Sequence, residues 1–411
     1  MKLLVSAVLA CLSAASAVSA GAWPAWRGPQ GTGVADEKNV PLRWSAGENV
    51  KWKTPLPAGN STPIVWKDNV FVTAASDDGR LRTLTCFNRN DGAPRWTHEV
   101  AYERKELTHE TNPHCAPSPV TDGEVVVAWH GSAGMVACDL EGNERWKADL
   151  GTFEHIWGYG SSPVIFEDLV ILSAGPGLRA FVVALDKRTG KEVWRREFPE
   201  AVSEKVDQFR GSWSTPVLYE ETNGRPALLL AMPQTLHCLD PRDGKDIWNC
   251  DGLGELVYTS PLVGDGVIVA MSGYHGPSLA VRTGGAGGVT ATHRLWHNVG
   301  NKLNPQRVGS GAIVGDHLYI LQDNGTAWCM EVKSGKVAWE ERLGKSWSSM
   351  CHADGKLYVL DMEGTTYVLE PTPTKCQVLA ENPLDELTRA SHAISDGQIF
   401  IRTYGNLYCI E

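Results

Sequence analysis

The sequence predicts an all-β fold, an eight-bladed β-propeller, and three observations carry that expectation. First, Ser161 to Trp194 reads as four short strands, Pro163 to Phe166, Leu169 to Ser173, Ala180 to Leu185 and Glu192 to Arg195. Val, Ile, Leu and Phe fill these strands, and Asp168, Gly175, Gly177 and Gly190 punctuate them. Second, such a sheet cannot bury its own faces, and the chain supplies copies of it. The residue opening the innermost strand recurs at Pro63, Pro119, Pro163, Pro216, Pro261, Ala312, Cys351 and Ala393, at the spacing of a four-stranded blade. Third, a glycine lies four residues before a tryptophan in Gly92/Trp96, Gly142/Trp146, Gly190/Trp194, Gly244/Trp248 and Gly335/Trp339. The glycine allows a tight hairpin with positive φ, and the tryptophan brings a large apolar face to the gap between sheets.

Within the repeat, an aspartate marks the turn after the innermost strand at Asp68, Asp122, Asp168, Asp265, Asp316, Asp354 and Asp396, and blade four has the insertion Glu220 to Gly224 there. Trp296 serves blade five after a longer turn, and blade seven carries Val378 or Leu379 at that place. Blade eight runs out at Glu411 after three strands. Its fourth is expected from residues 49–53, where Trp52 stands without a blade of its own, so the termini pair and remove an open sheet edge. Residues 49–411 then form one domain, and residues 21–48 an arm lying on the ring.

Residues 1–20 have the single charge, apolar run and small-residue end of a secretory signal, with Val18–Ser19–Ala20 at the cleavage point. The expected address is therefore periplasmic or extracellular. Val8–Leu9–Ala10–Cys11 resembles a lipobox, which keeps lipid anchoring at Cys11 as an alternative. No later segment approaches the length of a membrane span. With 42% hydrophobic and 21% charged residues, the chain is long enough to bury a large core. A net charge of -10 argues against nucleic acid as the partner.

Ala184, Asp186, Gly190 and Trp194 resemble the tryptophan-docking motif of quinoprotein-type eight-bladed propellers. Trp23–Pro24–Ala25–Trp26–Arg27–Gly28–Pro29, the NPHCAPSPVTDGE run from Asn112 and the GGAGGVTATHRLW run from Gly284 are similar to a family of secreted PQQ-like repeat proteins. That resemblance covers the chain after residue 20 and implies the fold. Quinoprotein dehydrogenases with this ring add a vicinal disulfide, a bound calcium and often a Cys-x-x-Cys-His haem site. No two cysteines here are adjacent and no Cys-x-x-Cys occurs. The repeat is also similar to the lipidated propeller of the outer-membrane barrel-assembly machinery, whose loops hold protein partners.

Cys86, Cys138, Cys238, Cys329 and Cys409 share one repeat position, about 10 Å apart on neighbouring sheets and so beyond bridging distance. Cys115, Cys250, Cys351 and Cys376 fall outside that set and are left free to pair or not. Thr283 to Gly288 reads as a flexible hairpin, since no strand–loop–helix context or Gly-Lys-Ser/Thr accompanies it. The histidines lack the spacing of a helical metal site, and His109 and His114 share a loop.

Candidate ligand-binding residues lie in the segments entering the innermost strands, which converge at one mouth of the channel. They are Glu110, Asn112 and His114, then His155, Trp157 and Tyr159, Arg210 and Trp213, Tyr258, Arg307, Trp347, Arg389 and His392. A concave mouth rich in aromatics, Arg and His suits a flat or sugar-like ligand. The leading expectation is a non-catalytic scaffold that binds a ligand or a protein or glycan partner there, with no catalytic residue, metal or cofactor. One alternative is a PQQ- and calcium-dependent oxidoreductase, with Glu110 or Asn112 as ligands and Asp207 or Asp385 as base. The other is a carbohydrate-active enzyme with two carboxylates flanking a glycosidic bond.

Overall fold

Eight sheets make the ring, each built on four antiparallel strands in the meander order, and the fourth carries one further, parallel strand. The computed structural model describes residues 21–300 and 304–411, so the expected signal, with Cys11, lies outside the described residues. Blade three runs Val164–Phe166, Leu169–Ala174, Phe181–Asp186 and Glu192–Glu197, within two residues of expectation. Val50–Pro55 pairs antiparallel with Asn406–Ile410 and completes blade eight. Among the described residues no helix is long and apolar enough to cross a membrane.

The tryptophan of each outer strand docks on the next blade and not on its own hairpin. Trp146 Nε1 donates to the Lys187 carbonyl at 2.7 Å, and a Cβ added to Gly190 would lie 2.6 Å from the Trp146 ring. Gly190 is thus required twice, by its φ of 68° and by the indole above it. The same indole-to-carbonyl bond joins Trp52 to Arg89, Trp96 to Leu140, Trp194 to Pro241, Trp296 to Val332 and Trp339 to Thr372. Trp248 departs from the pattern, because its Nε1 donates to Glu221 in the blade-four insertion. Glu221 also accepts the Gly284 amide at 2.9 Å. Gly287–Gly288 adds a short fifth strand beside Trp248 and Asn249, so the end of the glycine-rich run is tied to blade four while Thr283 to Ala286 remains a loop. Two irregularities of the repeat are one structural feature.

Opposite each docking tryptophan on the third strand stands a small residue: Cys86, Ala184, Cys238, Ala280, Cys329 and, facing Trp52, Cys409. In blade two that place belongs to Ala137, and Cys138 lies one residue further on, facing Glu144. The expected equivalence of Cys138 is corrected accordingly. All nine described cysteines are free thiols.

The innermost strands are locked by a ring of hydroxyls. The amide of Thr62 donates to Ser118 Oγ, Ser118 to Ser162, Ser162 to Thr215, Thr215 to Ser260, Ser260 to Ser310, Ser310 to Ser349 and Ser349 to Ser391. The Ser391 amide returns to Thr62 Oγ1 at 3.0 Å. This ring corrects the repeat register. The five prolines precede their strands by one residue, whereas Ala312, Cys351 and Ala393 are first residues of theirs. Gly311, Met350 and His392 occupy the proline position.

Residues 21–37 cross the ring. Trp23 bridges to Val65 in blade one, the Pro24 carbonyl accepts the Thr121 amide of blade two, and Gly33 and Ala35 exchange backbone bonds with His352 of blade seven. Arg27, 1% exposed, reaches the Gly311 carbonyl of blade six. The arm fills the channel with Trp23 and Arg27, and Trp26 reaches the cavity at its mouth.

Candidate functional site

The loop pairing at the mouth sets the aromatic side chains. Gly211–Ser212 runs parallel to Leu256–Val257, bonded as a two-stranded ladder. Trp213 and Tyr258 follow directly and meet edge to face, with ring centroids 5.2 Å apart. Trp157 lies 5.9 Å from Trp213, 4.8 Å from Phe209 and 6.4 Å from Tyr274. These five rings form a crescent over blades three to five. Trp213 Nε1 donates to the Gly158 carbonyl at 3.1 Å, and Asn112 Nδ2 donates to the carbonyls of Trp157 and Tyr159. Each bond fixes one loop of the crescent. Burial raises the Tyr258 phenol, which therefore stays protonated and can donate.

Across the mouth, the Arg389 guanidinium lies 5.0 Å from the Trp347 ring centroid and donates Nη1 to Tyr404 Oη at 2.6 Å. The Trp347 indole donates to Asp323, and Arg389 Nε has no hydrogen-bond partner. Between crescent and arginine lies a cavity of about 370 Å³. Trp26 and six ring residues, Thr62, Ser118, Ser162, Thr215, Ser349 and Ser391, line it as well. Among the described residues the wall includes no aspartate or glutamate, and Arg389 is its one permanent charge.

Six of the thirteen residues singled out from sequence line this cavity: Asn112, Trp157, Trp213, Tyr258, Trp347 and Arg389. The other seven lie elsewhere. His155, 2% exposed, packs edge-on behind Trp213 at 4.9 Å, and burial holds its imidazole below the ordinary value. Tyr159 lies beneath, against Trp129, with its hydroxyl accepting from Arg82 Nη1. Arg210 pairs with Glu255 at 2.6 Å. Arg307 is fully buried beside Trp328, and burial lowers its guanidinium to about 10. His392 is fully buried with Nε2 on Thr366 Oγ1, and burial lowers it to about 3. Glu110 and His114 line a separate cavity of about 200 Å³ with Asp77 and His109. Among the described residues no group of three His, Cys, Asp or Glu side chains could hold a metal ion. Asp207 and Asp385 are not on the wall of the mouth cavity.

Sequence reasoning passed over Trp26, Asn60, Tyr274 and the hydroxyl ring. The Ser/Thr recurring before every innermost strand was a visible signal for the ring. It also passed over Glu106, whose carboxylate meets Arg82 at 2.7 Å with both side chains buried. Burial alone would raise the Glu106 carboxyl, yet His114, Arg82 and Ser132 hold it below the ordinary value. Cys115 Sγ lies 3.4 Å from His130 Nδ1. Burial raises that thiol to about 12 and lowers that imidazole to about 3, so the pair is a neutral packing contact and not a nucleophile.

Fold and site together define an eight-bladed propeller with a ligand-sized cavity at one mouth, lined among the described residues by no carboxylate. Residues 34–181, 178–340 and 287–411 match the family model described as outer membrane protein assembly factor BamB, and the chain belongs to this family of PQQ-like propellers. BamB from Moraxella catarrhalis superposes with a TM-score of 0.61 at 15% identity, covering 87% of this chain and 97% of that one. A quinohemoprotein alcohol dehydrogenase from Pseudomonas putida HK5 gives 0.62 at 11% identity, covering 95% and 80%. The computationally designed protein Ika8 gives 0.61 at 11%, covering 88% and 99%. An assembly factor, an oxidoreductase and a designed protein share the architecture, so these likenesses establish fold alone. No curated protein matches the sequence significantly.

Proposed function

We propose that the protein is a non-catalytic binding scaffold that holds a ligand, or the end of a larger partner, in the mouth cavity. The observation carrying this reading is the aromatic crescent of Trp157, Trp213, Tyr258 and their neighbours, fixed by loop hydrogen bonds around an open cavity of about 370 Å³. That volume falls in the range of small-molecule pockets, and buried aromatic walls supply most of the contact energy in such sites. The family's description as an assembly factor agrees with a binding role.

Catalysis through the alternatives would need groups that the wall does not supply. Calcium takes hard oxygen ligands, generally including carboxylates, and a glycosidase needs a pair of carboxyl groups. The described wall has none, so a calcium–quinone pair does not fit these residues. The test is equilibrium binding to a panel of PQQ with calcium, neutral and acidic oligosaccharides, and peptides, followed by intrinsic tryptophan fluorescence. Saturable binding that Trp213→Ala weakens at least about tenfold supports the reading. Binding unaffected by Trp213→Ala, or dye reduction with PQQ and calcium, overturns it.

A further inference from the structure

Resting on that reading, we infer that the cavity's ligand is a carboxylate-bearing pyranose, the uronate end of an acidic glycan, and that Arg389 takes its carboxylate. The argument starts from the hydroxyl ring. Each ring oxygen already accepts a backbone N–H, so what remains is its own proton to donate and one lone pair. Ser260, which is not on the wall, donates to the Thr215 carbonyl. For the six ring residues on the wall, no acceptor of that proton exists among the described residues. Six ring residues thus line a cavity whose described wall has no carboxylate and one permanent charge, that of Arg389. Such a wall complements a ligand carrying hydrogen-bonding oxygens and a negative charge.

Arg389 fixes where the charge goes. Its Nη1 is used by Tyr404, and the guanidinium carbon lies 5.0 Å from the Trp347 ring centroid, two contacts that place the group. Nε is buried and does not reach a ligand, but Nη2 is not enclosed and makes no hydrogen bond among the described residues, and charge-assisted bonds of guanidinium to carboxylate are the strong class. The crescent opposite supplies flat apolar faces for the C–H face of a sugar ring. It also continues outward, since Phe209 is 50% exposed and Tyr274 47% exposed, their rings meeting edge to face 5.8 Å apart. An aromatic track leaving the cavity over the rim fits a chain whose end is seated inside and whose next residues lie on Tyr274 and Phe209.

The test uses isothermal titration of the full chain with trigalacturonate, its carboxyl-reduced trisaccharide, PQQ, and a tripeptide with a free C-terminal carboxylate. The acidic sugar should bind roughly tenfold tighter than the neutral one, the value of one charge-assisted bond. Arg389→Gln should bring the acidic sugar down to the neutral level, and Tyr274→Ala should weaken both sugars alike, with melting temperature showing that each variant is folded. Equal affinity for the two sugars, or a preference surviving in Arg389→Gln, overturns the assignment. Tighter binding of PQQ or of the tripeptide than of trigalacturonate, lost in Trp213→Ala, overturns the sugar class while leaving the cavity a binding site. Binding of no probe removes both readings.

Discussion

The Ser391 amide donates to Thr62 Oγ1 at 3.0 Å, and this bond joins blade eight to blade one at the innermost strands. Thr62 is 1% exposed, so removing its hydroxyl would leave the Ser391 N–H buried and unpaired. Thr62→Val should lose about 1–3 kcal/mol in denaturant unfolding, and Thr62→Ser close to nothing. Equal stability of the Val variant and wild type would show that the ring bond has no energetic role.

Docking tryptophans should differ in their worth. Trp146 is 7% exposed and bonded to Lys187, whereas Trp194 is only half-buried. Trp146→Ala should lose about 3–5 kcal/mol, the usual figure for a buried large aromatic, and Trp194→Ala clearly less. Chemical denaturation of both variants checks the order.

The closure of blade eight has its own clasp. Glu386 accepts from Lys53 at 2.7 Å, from Tyr408 at 2.6 Å, and from Thr403 and Asn406. Burial alone would raise this carboxyl, but those donors outweigh it and bring it down to about 2. With the folded value depressed, its contribution is complete above the ordinary carboxylate value and is lost as pH falls towards 2. Glu386→Gln should lower the melting temperature at pH 7 and narrow its gap to wild type in acid. A gap that stays constant with pH would contradict the clasp.

Strand positions, blade number and closure were legible because turn chemistry and the tryptophan repeat recur on one period. The site was legible only in part. Trp157, Trp213, Tyr258 and Trp347 announced themselves as aromatics in convergent loops, yet Arg307 and His392 stood in equivalent segments and point into the sheets. A shift of one residue turns a side chain to the other face. The register of the last three blades slipped because Gly311, Met350 and His392 carry no proline to mark it. Trp26 was hidden for a different reason, since its place depends on the arm crossing a ring that is closed by the far end of the chain.

Two buried histidines set a pH dependence. His130 and His392 are fully buried, and burial lowers both to about 3 against an ordinary 6.5. The unfolded chain binds protons between those values and the folded chain does not, so stability is complete above about pH 6.5 and falls as pH drops towards 3. At pH 5 each histidine should cost about 2 kcal/mol relative to pH 7.5. His392→Gln should be less stable than wild type at pH 7.5 but lose less on acidification, as urea midpoints at the two pH values would show. Parallel losses in variant and wild type would mean that His392 is protonated in the folded state.

The arm makes the last prediction: its first residues are part of the core and of the cavity wall. Trp23 is fully buried and packs in one core with Val65, Tyr408 and Ile410. Arg27 crosses the channel to Gly311, and Gly28 has its φ of 80° under the Trp23 ring. Deleting the segment removes these contacts from blades one, two and six at once and opens the channel below the cavity. Trp23→Ala should therefore lose about 3–5 kcal/mol. Trp26→Ala, with its ring half-buried on the cavity wall, should lose about 1 kcal/mol or less in stability, because much of that ring is already wetted. Its larger effect should fall on ligand affinity, since the indole is the arm's contribution to the wall. A Trp26→Ala protein as unstable as Trp23→Ala, or one binding as tightly as wild type, would remove the arm from the site.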